Sequence, residues 1–370
     1  MVKGEVKLVG TSVNGNEVYK TTMGIDATGI LIAGTKDDGS GSIDQTPDIK
    51  EGFYDGACYS MTWDNGNAVR SEDISVIFPD YDFSEEEESK AEFVGTSADL
   101  EGNITFKLYF DITDDVFYDP DAKVVITTHE GTIEYAASEG VWDAETVYSY
   151  SVSVPAKNMT SAITAKVVTD LVETESAETS VQKYLVGILS LPNEYAAEQD
   201  IAKAMLNYGT AAQLYFDYNT DKLANDTEYM TEEEKTAKTA DLSAYAPNIE
   251  GTNDGAVQFY GATLTLRSET TLKLYFKVEN PDEHDNIAVQ LNGFTAWLTP
   301  NGNLYEIRIP ELYAQHLDDP YTASSDCVSV DYSALSYAYL AQQSSNPELV
   351  NLANALADYH ETACAYLGLK

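Results

Sequence analysis

Two tryptophans stand where residue type and spacing could grip a sugar. Trp142 is followed by Asp143, and Trp297 is followed by a turn carrying Asn301 and Asn303. A flat indole stacks on the apolar C–H face of a pyranose, while amides and carboxylates hydrogen-bond the hydroxyls at the ring edge. Such a site requires aromatics that stay exposed, which strand parity can address. In Phe294-Thr295-Ala296-Trp297-Leu298-Thr299, the residues Phe294, Ala296 and Leu298 share one face, expected to be core. Trp297 then falls on the polar face with Thr295 and Thr299. Trp142, between Val141 and Asp143, is expected to point outward as well. Trp63 shares a face with Tyr59 and Met61 and reads as core. The competing reading is that Trp142 and Trp297 pack against helices or against each other, since tryptophan is usually largely buried.

Other chemistry has less support. The 62 acidic residues single out no pair set for glycosidase work, and no nucleophile elbow, phosphate loop or HExxH occurs. No catalytic residue, cofactor or metal ligand is therefore expected. The carboxylates Asp37, Asp38 and Asp44, and Asp114, Asp115, Asp119 and Asp121, do not match a calcium loop and read as solvated acidic turns. Cys58, Cys327 and Cys364 are far apart and read as small buried apolar residues.

Acidic residues outnumber the 21 basic ones, for a formal net charge of -41. Such a polyanion repels nucleic acid and anionic membranes, which leaves a neutral or cationic partner. No apolar run is long enough to cross a bilayer as a helix. The 26 tyrosines, among many Thr, Ser, Asp and Asn, have the style of a secreted protein whose signal is not in this sequence.

The elements that would position the tryptophans occur twice. Phe93–Phe110 aligns without a gap on Phe259–Phe276 at an offset of 166, with 8 of 18 pairs identical. Farther on, an offset of 155 aligns Trp142 with Trp297, Tyr150 with Tyr305, and Val154-Pro155 with Ile309-Pro310. Tyr150 and Tyr305 alternate with apolar residues and read as core. Each copy then closes with two helical stripes. The first runs through Val181, Tyr184, Leu185 and Ile188, then Ile201, Met205, Tyr208, Ala212 and Tyr215. The second runs through Tyr332, Leu335 and Tyr339, then Leu352, Leu356, Tyr359, Ala363 and Tyr366. Thr231 and Glu234 form a capping-box pattern that predicts a short helix. The expectation is an α+β fold. Residues 1–88 form a β-rich region packed with the first lobe. A first lobe of antiparallel strands plus a helical hairpin covers 89–225, a linker 226–255, and a second such lobe 256–370.

The segments Ala202–Ala224, Tyr332–Tyr339 and Ala353–Tyr366 resemble motifs that close sandwich-plus-helix modules in large secreted proteins of gut anaerobes. The bilobed arrangement is similar to a starch-binding domain of the starch adherence system proteins of amylosomes. The resemblance covers roughly residues 90–370. It implies a non-catalytic module that holds starch, amylopectin or maltooligosaccharides in a groove between two lobes. It further implies a monomeric unit of a larger protein that is secreted or at the cell surface. On that reading Trp142, Trp297, Asp143, Asn301 and Asn303 are the ligand-binding set. The alternative is a structural or adhesive surface module with no sugar ligand.

Overall fold

The computed structural model describes residues 89–99, 104–267, 269–281 and 287–369 in full, and the backbone of seven strands within residues 2–77. Contacts divide the chain into two units, Met1–Glu88 and Ser89–Lys370. In the first unit the strands are β1 (Val2–Ser12), β2 (Tyr19–Asp26), β3 (Gly29–Leu31), β4 (Ala33–Lys36), β5 (Ser42–Asp44), β6 (Ser60–Thr62) and β7 (Ala68–Ile77). They form one sheet in the order β5-β4-β2-β1-β7-β6, with β3 beside β2. Trp63, Tyr59, Cys58, Asp37 and Asp38 lie outside the described residues, as do the side chains of Met61 and Asp44.

The second unit is α+β, built from antiparallel sheets and helices. Strands β8 (Ala91–Ala98), β9 (Thr105–Ile112), β12 (Val141–Ala144) and β13 (Val147–Ser153) pair in the order β12-β13-β9-β8. Strands β10 (Lys123–Thr128), β11 (Gly131–Ala136), β14 (Ile163–Val168) and β15 (Ala177–Thr179) pair as β11-β10-β14-β15. Farther along, β17 (Val257–Leu266), β18 (Thr270–Val278), β21 (Thr299–Asn301) and β22 (Leu304–Ile309) pair as β17-β18-β22-β21. A fifth sheet has the order β16-β24-β23-β19-β20, from β16 (Asn248–Gly251), β19 (Ala288–Leu291), β20 (Phe294–Trp297), β23 (Tyr321–Ser324) and β24 (Val328–Tyr332). Alternation drives these strands. In β9 every second residue, Phe106, Leu108, Phe110 and Ile112, is buried. The β8–β9 register shifts at Phe93/Gly95 and the β17–β18 register at Phe259/Gly261, so both bulges fall at the same place in the offset of 166.

Helices, beginning with the single turn α1 (Asp114–Phe117), end where caps and turns dictate. Ser180 caps α2 (Val181–Leu189), its hydroxyl accepting from the Lys183 N–H at 3.1 Å. The break at Leu191-Pro192-Asn193 precedes α3 (Ala196–Tyr215). Ser333 caps α4 (Ala334–Gln342), so Tyr332 belongs to β24 and not to a helix stripe. Asn346 caps α5 (Pro347–Tyr366), with proline at the first helical position. Helix α2 packs on α3, α4 on α5, and α3 on α5. Tyr208 and Tyr359 stack at the last of these seams, with centroids 5.7 Å apart and planes 17° off parallel. Both are buried, whereas Tyr215 and Tyr366 are half-buried.

Polar residues inside α3 organise the segment that leaves it. Gln213, fully buried, donates to Thr160 Oγ1 and to the Asn219 and Lys222 carbonyls, and accepts from the Ala224 N–H at 2.8 Å. Asn207 donates to the Glu234 carbonyl at 2.8 Å and accepts from Asn225, whose amide also reaches the Lys235 carbonyl. Asp358 of α5 accepts from the Lys238 N–H at 3.5 Å, and Gln342 of α4 donates to the Ala240 carbonyl at 3.0 Å. The segment between α3 and β16 is thus a strap bonded to α3, α4 and α5. Its Thr231/Glu234 box closes, Glu234 accepting from the Thr231 N–H at 2.8 Å. No helix grows from it, which corrects the expectation. The chain makes one turn, Lys235 N–H to the Thr231 carbonyl at 3.0 Å, because it is drawn onto α3 and α5.

Replacing Gln213 with Ala removes the acceptor of the buried Ala224 N–H and a donor to the Lys222 carbonyl, whereas Thr160 Oγ1 and the Asn219 carbonyl keep other donors. It should lower unfolding free energy by at least about 2 kcal/mol, read by urea denaturation. The Lys203 ammonium 2.7 Å away, with the Thr231 donors, lowers the Glu234 carboxyl from 4.5 to about 2. A depressed carboxylate stabilises the fold above its unfolded pKa and loses that contribution as pH falls through its folded value. Glu234→Gln should therefore flatten the pH dependence of stability between about 4.5 and about 2. Because the pair is partly exposed, the effect should stay below about 1 kcal/mol.

Candidate functional site

Trp142 sits where the chain crosses from the edge strand of one sheet, β11, to the edge strand of the next, β12. A single 3-10 turn, Ala137–Glu139, makes the crossing. It is held from within: the Tyr150 hydroxyl donates to the Ala137 carbonyl at 2.5 Å, and Glu139 accepts from the Ala136 N–H at 2.7 Å. Gly140 is required here, since a Cβ would lie 2.6 Å from the Tyr150 hydroxyl. Burial raises the Tyr150 hydroxyl well above its ordinary range. Trp142 is 64% exposed, and its indole N–H donates to the Glu145 carbonyl at 3.0 Å. Glu145 has φ 48, the left-handed turn that returns the chain into β13. The ring is therefore exposed yet fixed at its polar end.

Aromatic rings continue inward. Trp142 is the cross-strand partner of Tyr148, which stacks on Phe117 at 3.9 Å with planes 17° apart. Phe117 meets Tyr118 edge-on at 5.0 Å, and Tyr118 is 71% exposed. Tyr118 is thus an exposed ring against the stacked pair, and Trp142 is tied to that pair through its strand register with Tyr148. Asp143 beside them is exposed. Asp115 accepts from the Ser89 hydroxyl, and Asp119 accepts from the Asp121 N–H. Among the described residues, no group of three or more His, Cys, Asp or Glu could hold a metal ion.

Trp297 ends β20, whose hairpin with β19 turns through Asn292 (φ 50) and Gly293 (φ 84). Two left-handed residues in a two-residue turn suit the twist of a hairpin. Trp297 opposes Ala288, on the face away from Ala296 and the buried Val289, and is 63% exposed. Gln290 and Thr295 share its face and bond each other at 3.1 Å. Leu298 is buried as parity requires, but Phe294 is 78% exposed, which corrects its expected place in the core. It is the first residue after the hairpin turn and faces half-buried Leu291, beyond the end of the core. Asn301 and Asn303 lie across the next crossing, on and after β21, both exposed. Asn301 donates to Glu306 at 2.6 Å, and Arg308 also reaches that carboxylate. Burial opposes the charge on Glu306, but these donors and nearby Lys273 outweigh it, so its carboxyl titrates below the usual range.

The hydrogen-bond register revises the pairing of the tryptophans. Tyr148 opposes Phe110 across β13 and β9, and Tyr305 opposes Phe276 across β22 and β18. With Phe110 and Phe276 already equivalent, Tyr305 matches Tyr148 and not Tyr150, an offset of 157 in place of 155. Trp142 opposes Tyr148 while Pro300 opposes Tyr305, so Pro300 holds the place of Trp142. Trp297 belongs to the other sheet, on the strand before the crossing. The structure brings both tryptophans to the same kind of corner but on opposite sides of it. Tyr150 is buried and Tyr305 half-buried.

The cavity at the helix seam, about 20 Å³ beside Tyr208 and Tyr359, has room for a water, and neither tryptophan lines it. Strand parity does not reach Tyr118. Its signal in the sequence is a tyrosine set in an acidic turn, next to a phenylalanine.

Trp142 and Trp297 should both be open to acrylamide, a neutral quencher that the polyanion does not repel. Trp142→Phe and Trp297→Phe should each remove part of the quenchable emission. Unchanged quenching in either variant would show a covered ring. No family model, no curated protein and no solved structure matches the chain.

Proposed function

We propose that the chain is a non-catalytic carbohydrate-binding module that holds α-1,4-glucan along a groove running from one lobe to the other. The observation that carries this reading is that two tryptophans are about two-thirds exposed, each at a crossing between sheet edges. Large exposed rings are unfavourable unless something covers them in use. Trp142, with Tyr118 and Asp143, offers ring faces and a carboxylate. Trp297, with Thr295 and Gln290, offers a ring face, a hydroxyl and an amide. These are the groups a pyranose chain engages. The groove lies outside the helix seam, whose cavity is too small for a sugar.

The finer architecture belongs to the same proposal: one duplicated module, with lobes at 89–225 and 256–370 and the strap between them. The shared bulge and the paired sheet orders support it. The partners would be starch, amylopectin and maltooligosaccharides, met outside the cell by a monomeric unit of a larger protein. No helix among the described residues is long and apolar enough to cross a membrane.

A specific observation favours a second reading, a structural or adhesive surface module. The polar residues of the motif that carries the resemblance, Asn207, Thr210 and Gln213, bond other parts of the same lobe and the strap. That motif accounts for the fold without a ligand.

Pull-down on insoluble starch separates the two. The wild type should bind, and Trp142→Ala and Trp297→Ala should each weaken binding by about tenfold, the scale of one lost stacking contact. Equal binding by both folded variants would remove the site, and absence of wild-type binding to any α-glucan would remove the function.

A further inference from the structure

Outside the tryptophan corners, an open cleft of about 600 Å³ lies at one end of sheet β11-β10-β14-β15. That volume is in the range of about 300–1,000 Å³ usual for ligand sites. Its floor includes Thr127 and Thr164, cross-strand partners on β10 and β14. His129 and Tyr218 make an angled wall, their rings 5.1 Å apart at 66°. Ser161 and Asn219 complete the rim.

None of the nine lining residues is Asp, Glu, Lys or Arg, in a chain that is 22% charged and carries a net charge of -41. A cation would find no carboxylate in the lining, and the basic groups near it are the His129 imidazole and the Lys157 ammonium held against the Tyr218 ring. What remains is a dense set of hydroxyls, an amide, a phenol and an imidazole, the chemistry that recognises a neutral polyol.

The wall is preorganised. Asp217 (φ 48) and Asn219 (φ 49) turn the chain sharply on either side of Tyr218. The Tyr218 N–H donates to the Gln213 carbonyl at 2.9 Å, and the Asn219 amide donates to Thr160 Oγ1 at 2.7 Å. The Lys157 ammonium stands 5.2 Å from the centre of the Tyr218 ring. A second cleft of about 390 Å³ shares Thr160 and Ala162 with the first and adds Glu178, Lys183, Lys222 and Asp226 to the groups a longer ligand would meet beyond that turn.

We propose that this cleft is a sugar-binding site of the first lobe, taking one neutral pyranose ring of an oligosaccharide and passing the next into the adjoining cleft. The inference rests on the carbohydrate-binding reading but needs neither tryptophan. Its walls come from one lobe alone.

Calorimetric titration of the full chain with maltoheptaose, cellohexaose and xylohexaose tests it. Thr127→Trp fills the cleft from an exposed strand position, and His129→Ala removes an exposed wall. Thermal unfolding checks that each variant folds, and His129→Ala serves alone if Thr127→Trp does not. In a Trp142→Ala/Trp297→Ala background, residual maltoheptaose binding should persist. It should fall about tenfold or more when either cleft substitution is added. If the wild type binds maltoheptaose and the cleft substitutions change nothing, or the double tryptophan variant binds nothing, the cleft proposal fails while α-glucan binding stands. If only cellohexaose or xylohexaose binds, in a manner sensitive to Thr127→Trp and His129→Ala, the cleft stands and the starch reading fails. Binding of none of the three overturns both.

Discussion

The seam between α3 and α5 is where the second unit is made single. Tyr208 and Tyr359 bury two large rings against each other, and burial raises the Tyr208 hydroxyl above its ordinary range. Around that stack each long helix presents a different packing solution. Gly209 comes so near Met159 that a Cβ would lie 2.6 Å from its sulfur. His360 instead fills its site with an imidazole bonded to the Ala314 carbonyl at 2.6 Å. Strands meet the shorter helices, β8 against α2 and β17 against α4, these helices pack on the long pair, and the strap is laid across it. Trp142, Tyr118 and Trp297 inherit their positions from that frame.

Much of the frame is legible in the chain because it depends on periodicity. Buried stripes at helical spacing and alternation in β9 follow from geometry that repeats along each element. Asn346-Pro347 and Ser180 stop and start helices for local reasons, so they too can be read without knowing the fold. Parity puts Trp297 on the polar face correctly because its strand alternates cleanly. Phe294 obeys the same parity and is nevertheless exposed, since parity fixes a face and not the extent of the core beneath it.

The pairing of Trp142 with Trp297 fails for a related reason. Val147-Tyr148-Ser149-Tyr150-Ser151-Val152 alternates so regularly that a slip of two residues leaves every side chain on its own face. Offsets of 155 and 157 satisfy the same pattern, and only the hydrogen bonds to β9 and β18 separate them. Gln213 and Asn207 are hidden differently. They are polar residues on a buried helix face, and their partners lie in a segment with no periodicity. Three polar residues at three-residue spacing within an otherwise apolar helix are the trace such a network leaves.

The strap has a further consequence during synthesis. Its anchors on α3, at Asn207, and at Asn225 are complete before β17 has been made, whereas Asp358 and Gln342 arrive more than a hundred residues later. Domains emerge and fold from the N-terminal side. The groups that hold the strap on α3 therefore precede, in the order of synthesis, those that hold it on α4 and α5. Translation thus delivers the Lys238 N–H and the Ala240 carbonyl well ahead of the helices α5 and α4 that bond them.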